Sequence, residues 1–245
     1  MKRKRFLMLT AAFAVITCIA VDAAEFHPMT PQPKVVTTRG IDVGKAPSDA
    51  VVLFDGTGLS EWTDTEGKPS QWIVKEGAMI VNKGNIRTKR EFSDVQLHIE
   101  FATPTPALGE GQSRGNSGVY LSGLYEVQVL DSYQSETYIN GMIGAIYNNF
   151  SPLVNACRPP GEWQVYDIIF HAPKRLADGK VREGSFTVLQ NGVLVQDHVP
   201  VGEKATAAAP IKGFAEKGPL YLQDHRNPVH FRNVWIRKLI AQTER

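Results

Sequence analysis

GSFTVLQNGVLVQDHV, residues 184–199, decides the fold class. Two runs rich in β-branched residues meet at Asn191-Gly192. That dipeptide supplies the left-handed backbone needed at both central positions of a type I′ turn, so the stretch reads as a β-hairpin. The same grammar extends on both sides. EWQVYDIIF (162–170) upstream and VHFRNVWIRK (229–238) downstream are runs with strand propensity. DVQLHIEFA (94–102) alternates strictly, with Val95, Leu97, Ile99 and Phe101 on one face and Gln96, His98 and Glu100 on the other. VVLF (51–54) precedes an Asp55-Gly56 turn, and WIVK and AMIVN flank a tight turn at Glu76-Gly77. No ten-residue amphipathic helix, internal repeat or nucleotide loop interrupts the series. Many short strands at close spacing predict an all-β sandwich or jelly roll of two antiparallel sheets, one of them curved around a concave ligand face.

The N-terminus reads differently. Residues 1–23, MKRKRFLMLTAAFAVITCIAVDA, join a basic start to a short apolar run and small residues, the pattern of a secretory signal. The run falls short of the ~20 apolar residues that span a bilayer. Cys18 offers a second reading as a lipidated cysteine, although Thr17 is a poor residue to precede it. The expected location is periplasmic or secreted, without stable membrane insertion. Residues 24–48, with Pro28, Pro31, Pro33 and Pro47, read as an extended arm, and residues 49–245 as the folded domain.

The whole chain has 27 Lys+Arg against 25 Asp+Glu, a net +2. Loss of residues 1–23 removes four cations and one anion and leaves −1. The apparent basicity belongs to the leader, so a nucleic-acid partner is not expected. Cys157 is then the remaining cysteine, which excludes an internal disulfide and a cysteine zinc site; a lone thiol usually packs as a small hydrophobe.

LYEVQVLDSYQ, residues 124–134, carries the chemistry. Alternation puts Glu126 and Gln128 on one face. Asp131 is out of phase, and a β-bulge at Val129-Leu130 would bring it back to them. GNSGVY sets Asn116 and Tyr120 on one side of an adjoining strand. LYLQDHRNPVHF places Gln223 and His225 on one face of a strand end, and an imidazole there can act as acid or base near neutral pH. Arg158 sits in the rigid loop PLVNACRPPGEW, and its planar fork suits hydroxyl or carboxylate recognition. Tyr125, Tyr147, Trp62 and Trp163 could stack on a pyranose ring, although aromatic residues of a sandwich commonly fill its core. Acid, base, amide and guanidinium together resemble a sugar site. Surface acids on a solvated strand are the plain alternative.

FDGTGLSEW, GNSGVYLSGLYEVQVLD, GAIYNNFSPLVNACRPPGEWQVYDIIFHAP, VLQNGVLVQDHV and GPLYLQDHRNPVHFRNVWIR closely resemble the 3-keto-disaccharide hydrolase family, from about Val51 to Lys238. The resemblance implies a concanavalin-like jelly roll in secreted or periplasmic proteins. It also implies cleavage of glycosides whose sugar has first been oxidised to a 3-ketone by a separate oxidoreductase, by a hydrolase or lyase route. The family motifs fall on Asn116, Glu126, Gln128, Asp131, Arg158, Gln223 and His225. Arg226 stands where the pattern expects glycine, and Cys157 where it expects serine, which bears on the choice of sugar.

The implied chemistry gives His225 or Glu126 the role of base and Asp131 or Glu126 that of acid. Arg158 and Gln128 would steady the enolate oxygen, with Tyr147, Asn116 and Gln223 binding substrate. No cofactor is expected, although the acids could hold a Ca²⁺ ion. Two other functions fit the same residues. A conventional glycosidase would use Glu126 and Asp131 as nucleophile and acid, ~5–5.5 Å apart for retention. A non-catalytic carbohydrate-binding module would bind sugar and release nothing.

Overall fold

Fifteen strands follow one another in the computed structural model, which describes residues 46–239. The expected leader, the Cys18 reading and nearly all of the arm lie outside the described residues. β1 (Val51–Phe54), β2 (Trp62–Asp64), β3 (Ile73–Lys75), β4 (Ala78–Ile80), β5 (Ile86–Thr88) and β6 (Val95–Ala102) come first. β7 (Ser117–Leu121), β8 (Tyr125–Val129) and β9 (Gln164–His171) form the middle. β10 (Lys174–Arg175), β11 (Val181–Arg182), β12 (Gly184–Gln190), β13 (Val193–Val201), β14 (Tyr221–Leu222) and β15 (His230–Lys238) complete the series. Two short 3₁₀ turns, Gly111–Ser113 and Ile139–Gly141, lie in the loops. Among the described residues no helix is long and apolar enough to cross a membrane.

The strands form two large antiparallel sheets, the jelly-roll sandwich that the alternation predicts. The larger runs β13-β12-β9-β6-β15-β4-β3, with β1 added to the far end of β15; the smaller runs β2-β5-β14-β7-β8. The 184–199 hairpin turns at Asn191 and Gly192, both at positive φ (54° and 78°). Glu76 and Gly77 do the same (52° and 75°). Leu97, Ile99 and Phe101 of β6 meet Val119, Leu121, Val127 and Val129 of the smaller sheet in one buried cluster. Tyr125 and Trp62 are core residues and are not offered to a ligand. Cys157 is free and buried, and burial pushes its thiol up to about 12.

β15 carries a bulge that the sequence does not announce. Its register with β6 shifts between Arg232 and Trp235, and Asn233 stands at φ 45°. The extra residue turns Asn233 onto the outer face, where its Nδ2 donates to Glu100 Oε1 (2.8 Å). Arg232 Nε bonds the other Glu100 oxygen (2.7 Å), and His98 lies between Asp167 (2.7 Å) and Glu100 (3.5 Å), stacked on Trp235. Burial alone would lower the His98 pKa. Asp167 and Glu100 outweigh it and raise the value from 6.5 to about 9. His98 therefore holds its proton more tightly folded than unfolded, and its stabilisation is complete below about 6.5 and gone above about 9. His98→Ala is expected to cost about 2–3 kcal/mol more at pH 6 than at pH 9.5, read from urea unfolding at the two values.

Candidate active site

The face of the smaller sheet turned away from the core is built in rows. Thr63 of β2 pairs with Arg87 of β5, Arg87 with Tyr221 of β14, Tyr221 with Tyr120 of β7, and Tyr120 with Glu126 of β8. These five residues therefore lie side by side across the sheet. In the next row toward the end of β14, Gly118 pairs with Gln128, and the Gly118 carbonyl accepts from Gln223 N (3.0 Å).

Gly118 shapes the centre. With no side chain there, the Glu126 carboxylate and the Tyr120 ring lean into its place. A Cβ on Gly118 would strike Glu126 Oε1 and stand 2.7 Å from Tyr120 Cε2. The acid thus reaches one row along the strands, toward Gln223 and His225.

Glu126 is 1% exposed. Burial raises its pKa from 4.5 to about 8, opposed by a hydrogen bond with the Tyr120 hydroxyl. Gln223 Nε2 donates to Tyr120 Oη (3.0 Å), so the Tyr120 proton points at Glu126 in a relay of Gln223, Tyr120 and Glu126. Burial also raises the Tyr120 pKa far above its usual value, ahead of the Glu126 charge, so the phenol remains a donor. Tyr120→Phe removes a bond that favours the charged carboxylate. The Glu126 pKa should therefore rise further, seen as an alkaline shift of its carboxyl carbon in an NMR titration.

Three buried polar atoms on this face have no hydrogen-bond partner: Glu126 Oε2, Gln128 Oε1 and Arg87 Nε. Buried polar groups are ordinarily paired. Two acceptors and a donor on one face thus lack partners, each covered from solvent in this structure. Gln128 Nε2 donates to Gln112 Oε1 (3.1 Å) and the Gly141 carbonyl (3.2 Å), which leaves its oxygen as an acceptor for hydroxyls.

The other residues singled out by sequence fall as follows. Asn116 Nδ2 donates to the Gln112 carbonyl (2.7 Å) and so pins the Gly111–Ser113 turn that braces Gln128. Tyr147, half-buried, shares a 2.6 Å hydroxyl bond with Tyr138, and its amide donates to the Glu126 carbonyl (3.1 Å). Gln223 joins the relay. His225 follows Gln223 by two residues, past the end of β14, with an exposed side chain.

Asp131 and Arg158 are held elsewhere. β7 and β8 pair in unbroken register from Ser117↔Val129 to Leu121↔Tyr125, so the bulge expected at Val129-Leu130 does not fall within the ladder. Asp131 follows the end of β8, buried, with Arg114 Nε on Oδ2 (2.7 Å) and Tyr133 N on Oδ1 (3.1 Å). Arg158 bonds the Trp163 carbonyl (2.9 Å) and Glu162 (2.6 Å). Trp163 lies under the Arg232 guanidinium, 3.9 Å from its ring centre. Among the described residues no group of three or more His, Cys, Asp or Glu is arranged to hold a metal ion.

Tyr120 entered the sequence reading only as a neighbour of Glu126. Gly118, Arg87 and Gln112 did not enter it. A glycine inside the strand GVYL is a signal for close approach of another group. Arg87 sits in a three-residue strand too short to show a period.

A jelly-roll sandwich with a buried carboxyl among unpartnered polar atoms, taken with the family match that follows, defines a carbohydrate-active protein. Residues 49–237 match the 3-keto-alpha-glucoside-1,2-lyase-like domain, and the chain belongs to that family. It is 45% identical to a crystal structure of a protein from Parabacteroides distasonis provisionally named a glycosyl hydrolase. That match covers 94% of this chain and 100% of the other at a TM-score of 0.76. Two more P. distasonis structures with the same provisional name share the fold. One is 19% identical over 78% of this chain and 94% of the other (TM-score 0.58); the second is 23% identical over 78% and 99% (0.55). No curated protein matches the chain in sequence.

Proposed function

We propose that the protein cleaves the glycosidic bond of 3-keto-glycosides by elimination, with Glu126 as acid and His225 as base. The observation that carries the reading is the buried carboxyl of Glu126, raised to about 8 and therefore largely protonated at neutral pH. A ketone at C3 acidifies the C2 proton. His225 takes that proton, and the electron pair passes into the enolate. Collapse of the enolate expels the C1 substituent, whose oxygen receives the Glu126 proton. Water adding across the new C1–C2 double bond returns the proton to C2, and Glu126 accepts one from the water, so net hydrolysis regenerates both groups. Arg87 Nε and the second N–H of Gln223 are the donors on this face for an enolate or hydroxyl oxygen, and Gln128 Oε1 accepts from a hydroxyl. Asp131 holds Arg114 and the loop behind the site.

The composition of the rows favours elimination over double displacement. Of the residues in them, Glu126 alone carries a carboxyl, whereas a retaining glycosidase needs two. The relative from P. distasonis that shares 45% identity, provisionally named a glycosyl hydrolase, supports catalysis over simple binding. On this reading a separate sugar 3-oxidoreductase supplies the substrate, and a secretory leader over residues 1–23 would put the reaction in the periplasm or outside the cell. The test is incubation with 3-keto-trehalose and with trehalose, products resolved by mass. Cleavage of the keto sugar alone is expected. Turnover of plain trehalose would move the assignment to a conventional glycosidase, and binding without products to a lectin-like module.

A further inference from the structure

His225, Arg226, Asn227 and Pro228, which follow Gln223 in the chain, line a cavity of about 430 Å³. Pro104, Leu108 and Pro228 give it apolar walls, and Ser113, His225 and Arg226 its polar groups. Asn227 Oδ1, accepting from Gly115 N (3.0 Å), ties this loop to the segment just before β7, the strand that carries Gly118. Ser113 follows Gln112, which bonds Gln128. His225, the base of the proposed reaction, lines this cavity, so on that reading the cavity borders the reacting centre.

Two observations give the cavity a chemical preference. Arg226 stands in the left-handed region at φ 64°, which a side chain adopts only under strain and glycine adopts freely. Arg226 is exposed and takes part in no ion pair among the described residues. The neighbouring acid, Asp224, is already committed to two backbone amides, Arg226 N (2.7 Å) and Gly84 N (2.7 Å). The second observation is Leu108, 69% exposed, which presents a large apolar side chain at the same opening.

We infer that this cavity is an aglycone subsite selective for leaving groups that combine an apolar or aromatic body with an acidic group, the body lying against Leu108 and the prolines and the anion meeting Arg226. The inference rests on the keto-glycoside reading for its place in the reaction and on the cavity alone for its charge preference. A guanidinium paired with a carboxylate makes a charge-assisted bond, which a neutral hydroxymethyl cannot replace.

The test compares the 3-keto derivatives of 4-carboxyphenyl and 4-(hydroxymethyl)phenyl α-glucoside with wild type, Arg226→Gln and Arg226→Gly. The glycine variant suits the backbone at this position and guards against misfolding. Wild type is expected to favour the carboxylate in kcat/KM by about tenfold, and both variants to lose that ratio. Calorimetry with the two unoxidised glucosides reads the same preference without turnover. Charge preference in binding with no cleavage of either keto sugar would leave the subsite standing and remove the reaction. Cleavage of both at equal rates would leave the reaction standing and overturn the subsite. Equal binding of the two glucosides, or binding of neither, would overturn it as well.

Discussion

Glu126→Gln is expected to lower kcat on a 3-keto-glucoside by about 10²–10⁴-fold, the usual loss when a proton-transfer group is removed. Glutamine keeps the shape and the bond to Tyr120 but cannot hand a proton to the leaving oxygen. The same change should stabilise the fold at alkaline pH. The Glu126 pKa rises from 4.5 to about 8 on folding, so between those values the native state binds more protons than the unfolded chain. Stability contributed by this group therefore falls as pH rises from about 4.5 to about 8. The cost is on the order of 3 kcal/mol at pH 7, and a neutral amide does not incur it. Thermal unfolding at pH 5 and pH 8.5 should show Glu126→Gln near wild type at the lower value and clearly above it at the higher. In the wild type, activity should decline above pH 8 as the acid loses its proton. A variant that keeps its activity, or that melts below wild type at pH 8.5, would remove the assignment of Glu126 as a buried acid. Lost activity with gained stability is the pattern expected of a group held strained for function.

The strands and the tight turns were legible because they rest on local chemistry. Asn191-Gly192 and Glu76-Gly77 declare their turns by backbone preference, and the alternation of β6 declares its buried face. Glu126 and Gln128 were legible as a pair for the same reason. Asp131 was not. Plain alternation already sets it out of phase with that pair, the added bulge is absent from the ladder, and Arg114, 17 residues earlier in the chain, holds its carboxylate. The bulge at Arg232–Trp235 goes with the bonds of Asn233 to Glu100 and His98, both on β6, more than 130 residues earlier in the chain. Arg158 gave no sign that Glu162 and the Trp163 carbonyl would hold it. Arg87 joins the row through two ladders, β5 to β14 and β14 to β7, whose register no local pattern contains.

Gly118 offers the sharpest test of the row, because it carries no chemistry of its own. Alanine in place of glycine inside a strand ordinarily gains stability, as less backbone entropy is lost on folding. Gly118 is not among the residues at positive φ, so its backbone gives no reason to resist the change. The space does. The new methyl would sit on Glu126 Oε1, 3.1 Å from Glu126 Cδ and 2.7 Å from the Tyr120 ring. Both side chains carry the relay from Gln223, and neither can retreat without breaking it. Gly118→Ala is therefore expected to cost about 1–3 kcal/mol of stability, as overpacking does. It should also cost about 10²-fold or more in kcat/KM, because a displacement near 1 Å spoils proton transfer. Gly58, with nothing within 4 Å of an added Cβ, is the control, and Gly58→Ala should change neither quantity. If Gly118→Ala matched that control in melting temperature and in turnover, the Glu126 carboxyl could not be lying over the glycine, and the route from its acidity to the substrate would be lost.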